Sequence, residues 1–339
     1  MKVKIGVVGV GYWGPNFLRI FNQLENSKVV YCCDTNKKRL REIASLYPSV
    51  KVTSQLNEIL TSAEIDALVV ASPSDTHVEI SAAAIKAKKH VLVEKPMCLT
   101  NQDAQELVQS VKKQKLVLMV GHTYEYHPAI IHIKKLLDKE ELGQILYIYS
   151  SWLNLGRVRK ETNALWSLAP HIISILRYLI GELPEKVVAF GQAYLQRNRE
   201  DVVFINMLFR DRIIANAHMS WLDPKKERTM TIVGSKKMIV FDEFNHEGSI
   251  KIYDKGFLRF KNKNGERAFN FSLRPRYGST HIPNLPSQEP LREECEHFID
   301  CIINHQTPLS DGKSGADVVK VLEAADNSLK KGGVWVKVI

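Results

Sequence analysis

Residues 3–8 form a short apolar run, and Gly9-Val10-Gly11-Tyr12-Trp13-Gly14 follows it directly. The pattern G-x-G-x-x-G is weak alone, but between an apolar strand and a helix it specifies the start of a dinucleotide-binding βαβ unit. Gly9 permits the tight turn, Gly11 lets the backbone approach a pyrophosphate, and Gly14 lets helix and strand pack closely. Pro15 suits the first helical turn. The helix start then offers free N–H groups and a positive dipole end to phosphates. Asp34 closes the next apolar run, 20 residues after Gly14, where a carboxylate binds the adenosine ribose hydroxyls. Such a carboxylate repels a 2′-phosphate, so the predicted cofactor is NAD, with NADP less favoured. Tyr12, Trp13, Asn36 and Arg39 complete the cofactor contacts expected here.

Six short apolar runs (residues 3–8, 28–33, 51–53, 66–71, 90–93 and 116–120) alternate with amphipathic stretches such as 37–45, 77–88 and 100–113. Runs without period-2 alternation suit strands covered on both faces, so the first part reads as a doubly wound parallel sheet. Beyond residue 122 the pattern changes. Helices near 128–139 and 170–180 are followed by long alternating strands at 144–154, 186–196, 201–209, 212–221, 229–233 and 237–242. Residues 261–286, rich in Asn, Gly, Ser, Pro and Arg, read as a long loop. A last helix at 314–331 ends at Gly332 and Gly333. The fold class is therefore α/β: a Rossmann domain at 1–122, then an α+β domain at 123–339 with a large, mostly antiparallel open sheet. The last helix is placed to pack back on the first domain.

Charge excludes less than its sum suggests. Lys+Arg minus Asp+Glu is 47 − 37, or +10. Residues 1–122 hold 16 − 11 and the remainder 31 − 26, so each half carries +5 and no basic arm singles out nucleic acid as partner. No apolar stretch is long enough to span a bilayer. Five cysteines (Cys32, Cys33, Cys98, Cys295 and Cys301) have neither CxxC nor zinc spacing, which suits a reduced, cytoplasmic protein without a metal.

Two further segments fall at the carboxyl ends of strands in the first sheet, where ligands of doubly wound folds collect. One is Ala71-Ser72-Pro73-Ser74-Asp75-Thr76-His77; the other is Val93-Glu94-Lys95-Pro96. A lysine at that place can polarise a hydroxyl or carbonyl oxygen as hydride moves. Together with the glycine loop and Asp34, these segments resemble the Gfo/Idh/MocA family, in which Glu-Lys-Pro after the fifth strand is a specific mark. The resemblance continues through residues 121–126, 153–159, 220–224, 233–238 and 289–292 and covers essentially the whole chain. Within the family it is most similar to the branch of UDP-N-acetylglucosamine and UDP-sugar-acid 3-dehydrogenases.

The resemblance implies a substrate bound between the two domains and a homodimer or homotetramer built through the C-terminal sheet. It implies catalytic roles for Lys95 and His171, and cofactor contacts that include Ser72, Pro73, His77, Glu94, Lys95 and His122. Tyr126, Asn154, Arg157, Arg159 and Trp166 are the expected substrate contacts. Arginines suit bidentate phosphate recognition, and the aromatic rings suit stacking on a sugar or base. One departure stands out. Where relatives in this branch carry an aspartate one helical turn before the histidine and an acid after it, this chain has Ser167 and Ile172. Ser167 can orient a ring nitrogen but supplies no charge. The expected activity is hydride transfer between C3 of a nucleotide-activated hexose and NAD. A ketosugar reductase, or a dinucleotide- and sugar-binding protein of weak catalysis, are the alternatives.

Overall fold

A computed structural model describes residues 2–156, 158–159, 161–261 and 271–339. Arg157, an expected substrate contact, lies outside the described residues. The first sheet is parallel throughout, with strands β1 (Val3–Val8), β2 (Ser27–Cys33), β3 (Lys51–Thr53), β4 (Ala67–Val70), β5 (His90–Val93) and β6 (Leu118–Val120) in the order β3-β2-β1-β4-β5-β6. Helices α1 (Gly14–Gln23), α2 (Lys37–Leu46), α3 (Leu56–Thr61), α4 (His77–Lys86) and α5 (Asn101–Gln114) alternate with these strands. The order reverses between β1 and β4, and in open α/β sheets the crevice at such a switch point takes the ligand. β4 is buried along its whole length and β5 along most of it, as the near-continuous Val, Leu and Ile runs require.

The compact unit around this sheet is not one stretch of sequence. Residues 1–127 group with 288–323, and residues 128–287 with 324–339. The first unit takes in residues beyond 122, among them α8 (Pro290–Ile303). Its face of Leu291, Cys295, Phe298, Ile299 and Ile302 joins Val3, Ile5, Phe17 and Phe21 in one buried cluster. Phe21 and Phe298 meet edge to face with centroids 6.5 Å apart. The first part of α9 (Gly312–Lys330) also belongs to this unit, where Gly315 has no side chain to strike Val120: a Cβ there would lie 2.5 Å from a Val120 methyl.

The second unit holds α6 (Pro128–Asp138), α7 (Ala164–Ile180) and strands β7 (Ile145–Leu155), β8 (Lys186–Gln192), β9 (Val202–Leu208), β10 (Ile214–Ser220), β11 (Leu222–Gly234), β12 (Met238–Asp242), β13 (Ile250–Lys261), β14 (Phe271–His281) and β15 (Val336–Lys337). Their order is β14-β13-β12-β11-β7-β10-β9-β8-β15, antiparallel except for the β7–β10 pair. In β7 Ile148, Ser150 and Trp152 point into the covered face while Tyr147 and Tyr149 stay exposed. Helix α7 starts earlier than the 170–180 expectation. Asn163 caps it by accepting from the Trp166 N–H at 3.1 Å, and the helix runs through Pro170. The loop expected at 261–286 is corrected as well: β14 occupies part of it, because β13 supplies an antiparallel partner along Lys255–Lys261 that outweighs the local Pro and Gly content. All five cysteines are free and buried. No helix among the described residues is long and apolar enough to cross a membrane.

Candidate active site

The glycine loop has the geometry its spacing requires. Gly9 has φ +90°, and a Cβ there would lie 2.5 Å from the Ser72 nitrogen, so only glycine lets the two strand-end loops touch. A Cβ on Gly14 would sit 2.0 Å from the Gly9 carbonyl oxygen. Around Gly11 nothing lies within 4 Å of that position, which leaves its backbone open to an approaching phosphate. Helix α1 begins at once, with no side-chain acceptor on its first N–H groups and Pro15 in its first turn. Tyr12 and Trp13 stack on each other beside the loop, with centroids 6.3 Å apart, and both are exposed.

Asp34 is locked at the end of β2. Its Oδ2 accepts from the Val10 N–H at 2.8 Å and its Oδ1 from the Asn36 N–H at 2.7 Å. A carboxylate has about four acceptor sites, so two remain for ribose hydroxyls. Asn36 caps α2, accepting from the Lys38 and Arg39 N–H groups. Arg39 lies on the loop itself, donating to the carbonyls of Val10 at 3.1 Å and Gly11 at 3.0 Å, and pairs with Glu42. A dinucleotide fits this arrangement: open backbone for the pyrophosphate, a helix start for its charge, and a fixed acceptor for the adenosine ribose.

The next two strand ends are joined by a histidine. The His77 ring is 1% exposed, with Nδ1 2.8 Å from the Pro96 carbonyl and Nε2 2.9 Å from the Ser72 carbonyl. Burial lowers its pKa, against the two carbonyls that favour its charged form. The ring is enclosed by its own unit, so it acts on a cofactor through the loops it braces. Ser72 Oγ and Thr76 Oγ1 are 2.7 Å apart, and Thr76 also donates to the Pro73 carbonyl. Pro96 follows a cis peptide bond, and the half-buried Lys95 stands just before it. The Lys95 N–H donates to Glu94 Oε2 at 3.2 Å. His122 is buried in the loop after β6.

In the second unit, sequence reasoning missed a layered group around His171. The His171 ring stacks on Trp152 with centroids 5.3 Å apart and planes at 24°. Arg228 covers Trp152, its Cζ 5.0 Å from the ring centre. The guanidinium donates to the carbonyls of Leu153 at 2.9 Å and Glu227 at 2.7 Å, and to Asn154 Oδ1 at 3.0 Å. Arg228 and Trp152 are register partners on β11 and β7, a pairing across 76 positions that no local pattern announces. Asn154, expected to meet substrate, is therefore an acceptor for Arg228.

Two expected substrate aromatics lie elsewhere. Tyr126 is 5% exposed and packs in the core of the first unit, its hydroxyl 3.0 Å from Ser310 Oγ and its ring on His297. Trp166 is 8% exposed and its indole N–H donates to Asp326 at 3.4 Å. Both rings carry apolar area that their own units bury, and each polar tip has found an internal partner. Arg159 is exposed, and its carbonyl accepts from the Gln196 amide at 3.2 Å.

Comparison with known proteins agrees with this geometry. A family profile described as an oxidoreductase family with an NAD-binding Rossmann fold matches residues 3–122, and its companion, an alpha/beta C-terminal domain, matches 134–338. The UDP-N-acetylglucosamine 3-dehydrogenase of Acidithiobacillus ferrooxidans is 25% identical over 325 residues, spanning 94% of this chain and 95% of that protein. Its solved structure shares the fold with a TM-score of 0.81 at 23% identity, covering 98% of this chain and 99% of that one. The 2,7-anhydro-N-acetylneuraminate hydratase of Escherichia coli K12 is 26% identical over 266 residues, 74% of this chain and 70% of that protein. A levoglucosan dehydrogenase, solved with NADH and levoglucosan, has a TM-score of 0.81 at 21% identity over the full length of both chains. Two profiles spanning most of its length leave one assignment: the chain is an enzyme of the Gfo/Idh/MocA oxidoreductase family, with an NAD-binding Rossmann domain.

Proposed function

We propose that the enzyme oxidises the 3-hydroxyl of a nucleotide-activated hexose, such as a UDP-N-acetylhexosamine, with NAD as hydride acceptor. The observation that carries the cofactor half is Asp34, a carboxylate fixed by two backbone N–H groups at the ribose end of the glycine loop. The substrate half is supported by the 25% identity to a UDP-N-acetylglucosamine 3-dehydrogenase along nearly the whole of both chains. Bound NAD supplies the carbon that receives the hydride. The protein does the rest. The backbone at Gly11 and the start of α1 hold the pyrophosphate, and Asp34 holds the ribose and turns away a 2′-phosphate. Lys95 hydrogen-bonds the reacting oxygen and stabilises the charge that grows on it. His171 takes the hydroxyl proton, its ring held by the Trp152 stack. That stack fixes the ring plane on a chain that has Ser167 and Ile172 at the positions flanking the histidine.

The test mixes the protein with NAD or NADP and a panel of UDP-N-acetylhexosamines and other sugars, following the absorbance of reduced cofactor. NADH accumulation with one nucleotide sugar, preference for NAD over NADP, and a silent Lys95→Ala variant that still binds NADH are expected. Full turnover by that variant overturns the assignment. Because one relative carries a hydratase name, the panel is also read by mass spectrometry for products formed without net NADH.

The reading extends to assembly and location. Tyr147, Tyr149, Phe190, Phe204 and Ile214 leave an apolar area on one face of the larger sheet. A homodimer or homotetramer built through that face buries it, and Tyr149→Glu is expected to lower the mass seen by light scattering. Five free cysteines suit the cytoplasm.

A further inference from the structure

The ribose end of the glycine loop carries two opposed signals. Lys37-Lys38-Arg39 opens α2, so its first turn holds three basic residues and no acid. A helix start of that kind favours an anion such as a 2′-phosphate. Asp34, whose Oδ1 accepts from the N–H of the Asn36 cap, favours the unphosphorylated ribose. The contacts of Arg39 bear on the choice.

Arg39 and Asp34 meet on one residue. Asp34 Oδ2 accepts from the Val10 N–H at 2.8 Å, and the Val10 carbonyl accepts from Arg39 Nε at 3.1 Å. Arg39 Nη2 donates to the Gly11 carbonyl at 3.0 Å, so two of the three guanidinium nitrogens are tied to the loop. The third, Nη1, donates to Glu42, one helical turn further along α2. Reading a phosphate takes an arginine fork aimed at it, with its charge uncompensated. Here the fork of Nε and Nη2 faces the loop carbonyls, and the Glu42 carboxylate offsets the charge. Lys37 and Lys38, both exposed, offer mobile point charges in place of a fixed fork. The Arg39–Glu42 pair is itself half-exposed, and a pair three positions apart on a helix surface adds little to stability. Its weight falls on whatever charge approaches Arg39.

We propose that Glu42 is a specificity-determining residue for the cofactor: it keeps Arg39 on the glycine loop and withholds its charge from a 2′-phosphate. The proposal rests on the reading that Asp34 receives the adenosine ribose. A 2′-phosphate then meets the carboxylates of Asp34 and Glu42 and an arginine already engaged. Arg39 becomes a strut of the loop, spanning the carbonyls of Val10 and Gly11. A helix start with three basic residues thereby serves NAD.

The experiment titrates the wild type, Glu42→Gln, Arg39→Met and the double variant with NADH and with NADPH, following nicotinamide fluorescence without sugar. Glutamine keeps the shape and an acceptor for Nη1 but removes the charge. In Glu42→Gln the NADPH-to-NADH affinity ratio is expected to rise about tenfold, the effect of one charge at a half-exposed site, while NADH affinity holds. Arg39→Met, which takes the donors from both loop carbonyls, is expected to weaken binding of both cofactors. In that background Glu42→Gln should move the ratio about threefold or less. An unchanged ratio in Glu42→Gln overturns the proposal. A rise that persists in full without Arg39 also overturns it, because Glu42 would then act on the phosphate directly. A wild type that binds NADPH as tightly as NADH defeats the Asp34 reading instead, and the shift from wild type to Glu42→Gln still decides the role of Glu42.

Discussion

Removing the His77 imidazole should loosen the cofactor site from behind. The ring touches no surface, yet it spans two strand ends, its Nδ1 2.8 Å from the Pro96 carbonyl oxygen and its Nε2 2.9 Å from the Ser72 carbonyl oxygen, and the one N–H of the neutral ring donates to one of them. In His77→Ala the carbonyl that accepts the ring N–H loses its donor in an interior where His77 is 1% exposed. A buried group left unsatisfied costs about 1–3 kcal/mol. That loss, with the space left by the ring, comes to ~2 kcal/mol. The damage does not stop at stability. The Ser72 backbone packs against Gly9 at a distance that admits no Cβ, so a Ser72 turn released from His77 also releases the glycine loop. If keeping that loop ordered costs a further ~1.4 kcal/mol, NADH affinity falls about tenfold. Urea unfolding without ligand and fluorescence titration with NADH measure the two effects separately. His77→Gln, whose amide can donate to one carbonyl, should recover roughly 1 kcal/mol. A His77→Ala protein unfolding within about 0.5 kcal/mol of the wild type, with unchanged NADH affinity, would refute the brace.

Gly14→Ala places a Cβ 2.0 Å from the Gly9 carbonyl oxygen. The backbone must shift, at about 1–3 kcal/mol, and calorimetric titration should find NADH binding weakened at least as much as in His77→Ala. Arg228→Lys keeps the charge but cannot reach Leu153, Glu227 and Asn154 together. A loss of ~2 kcal/mol in denaturant unfolding is expected, with a fall in kcat as the Trp152–His171 stack loses its cover. Acid should weaken the fold before it affects carboxylates. Burial lowers the pKa of His77, His90, His127, His132, His218 and His297, with His127 brought down to about 4. Depressed histidines contribute stability that is present above the unfolded pKa of 6.5 and is lost as pH falls toward the folded values. The thermal midpoint should therefore drop between about pH 6.5 and pH 4, and a flat midpoint across that window would contradict the burial of these rings.

What the sequence revealed and what it withheld divide along physical lines. Strands β1, β3 and β5 match the expected bounds residue for residue, and in β1 and β5 a parallel sheet covered on both faces leaves mostly hydrophobic side chains to read. The glycine loop was legible through its spacing: Gly14 answers to the Gly9 carbonyl five positions away, although the Ser72 backbone that Gly9 meets lies at another strand end. Interactions between distant segments were not. Nothing in residues 290–303 announces that Phe298 will meet Phe21, or that Glu294 will accept from the Thr123 hydroxyl. Strand β14 looked like a loop because its composition is poor for a strand and its partner β13 is invisible to local reasoning. Tyr126 and Trp166 were read as sugar platforms because an aromatic near a site has the same letter whether it faces ligand or core.

The same distinction bears on the chemistry. A carboxylate beside a histidine tunes its charge, whereas a ring stacked on it chiefly tunes its orientation. This chain has Ser167 and Ile172 where a charge would come from, and Trp152 under Arg228 where orientation comes from. An imidazole held in plane by Trp152 is oriented to accept the hydroxyl proton. On the proposed reading, Lys95 is then the principal carrier of transition-state charge. The consequence is a ratio: Lys95→Ala should cost turnover much more than His171→Ala. A histidine supported by a carboxylate would bring the two losses close together.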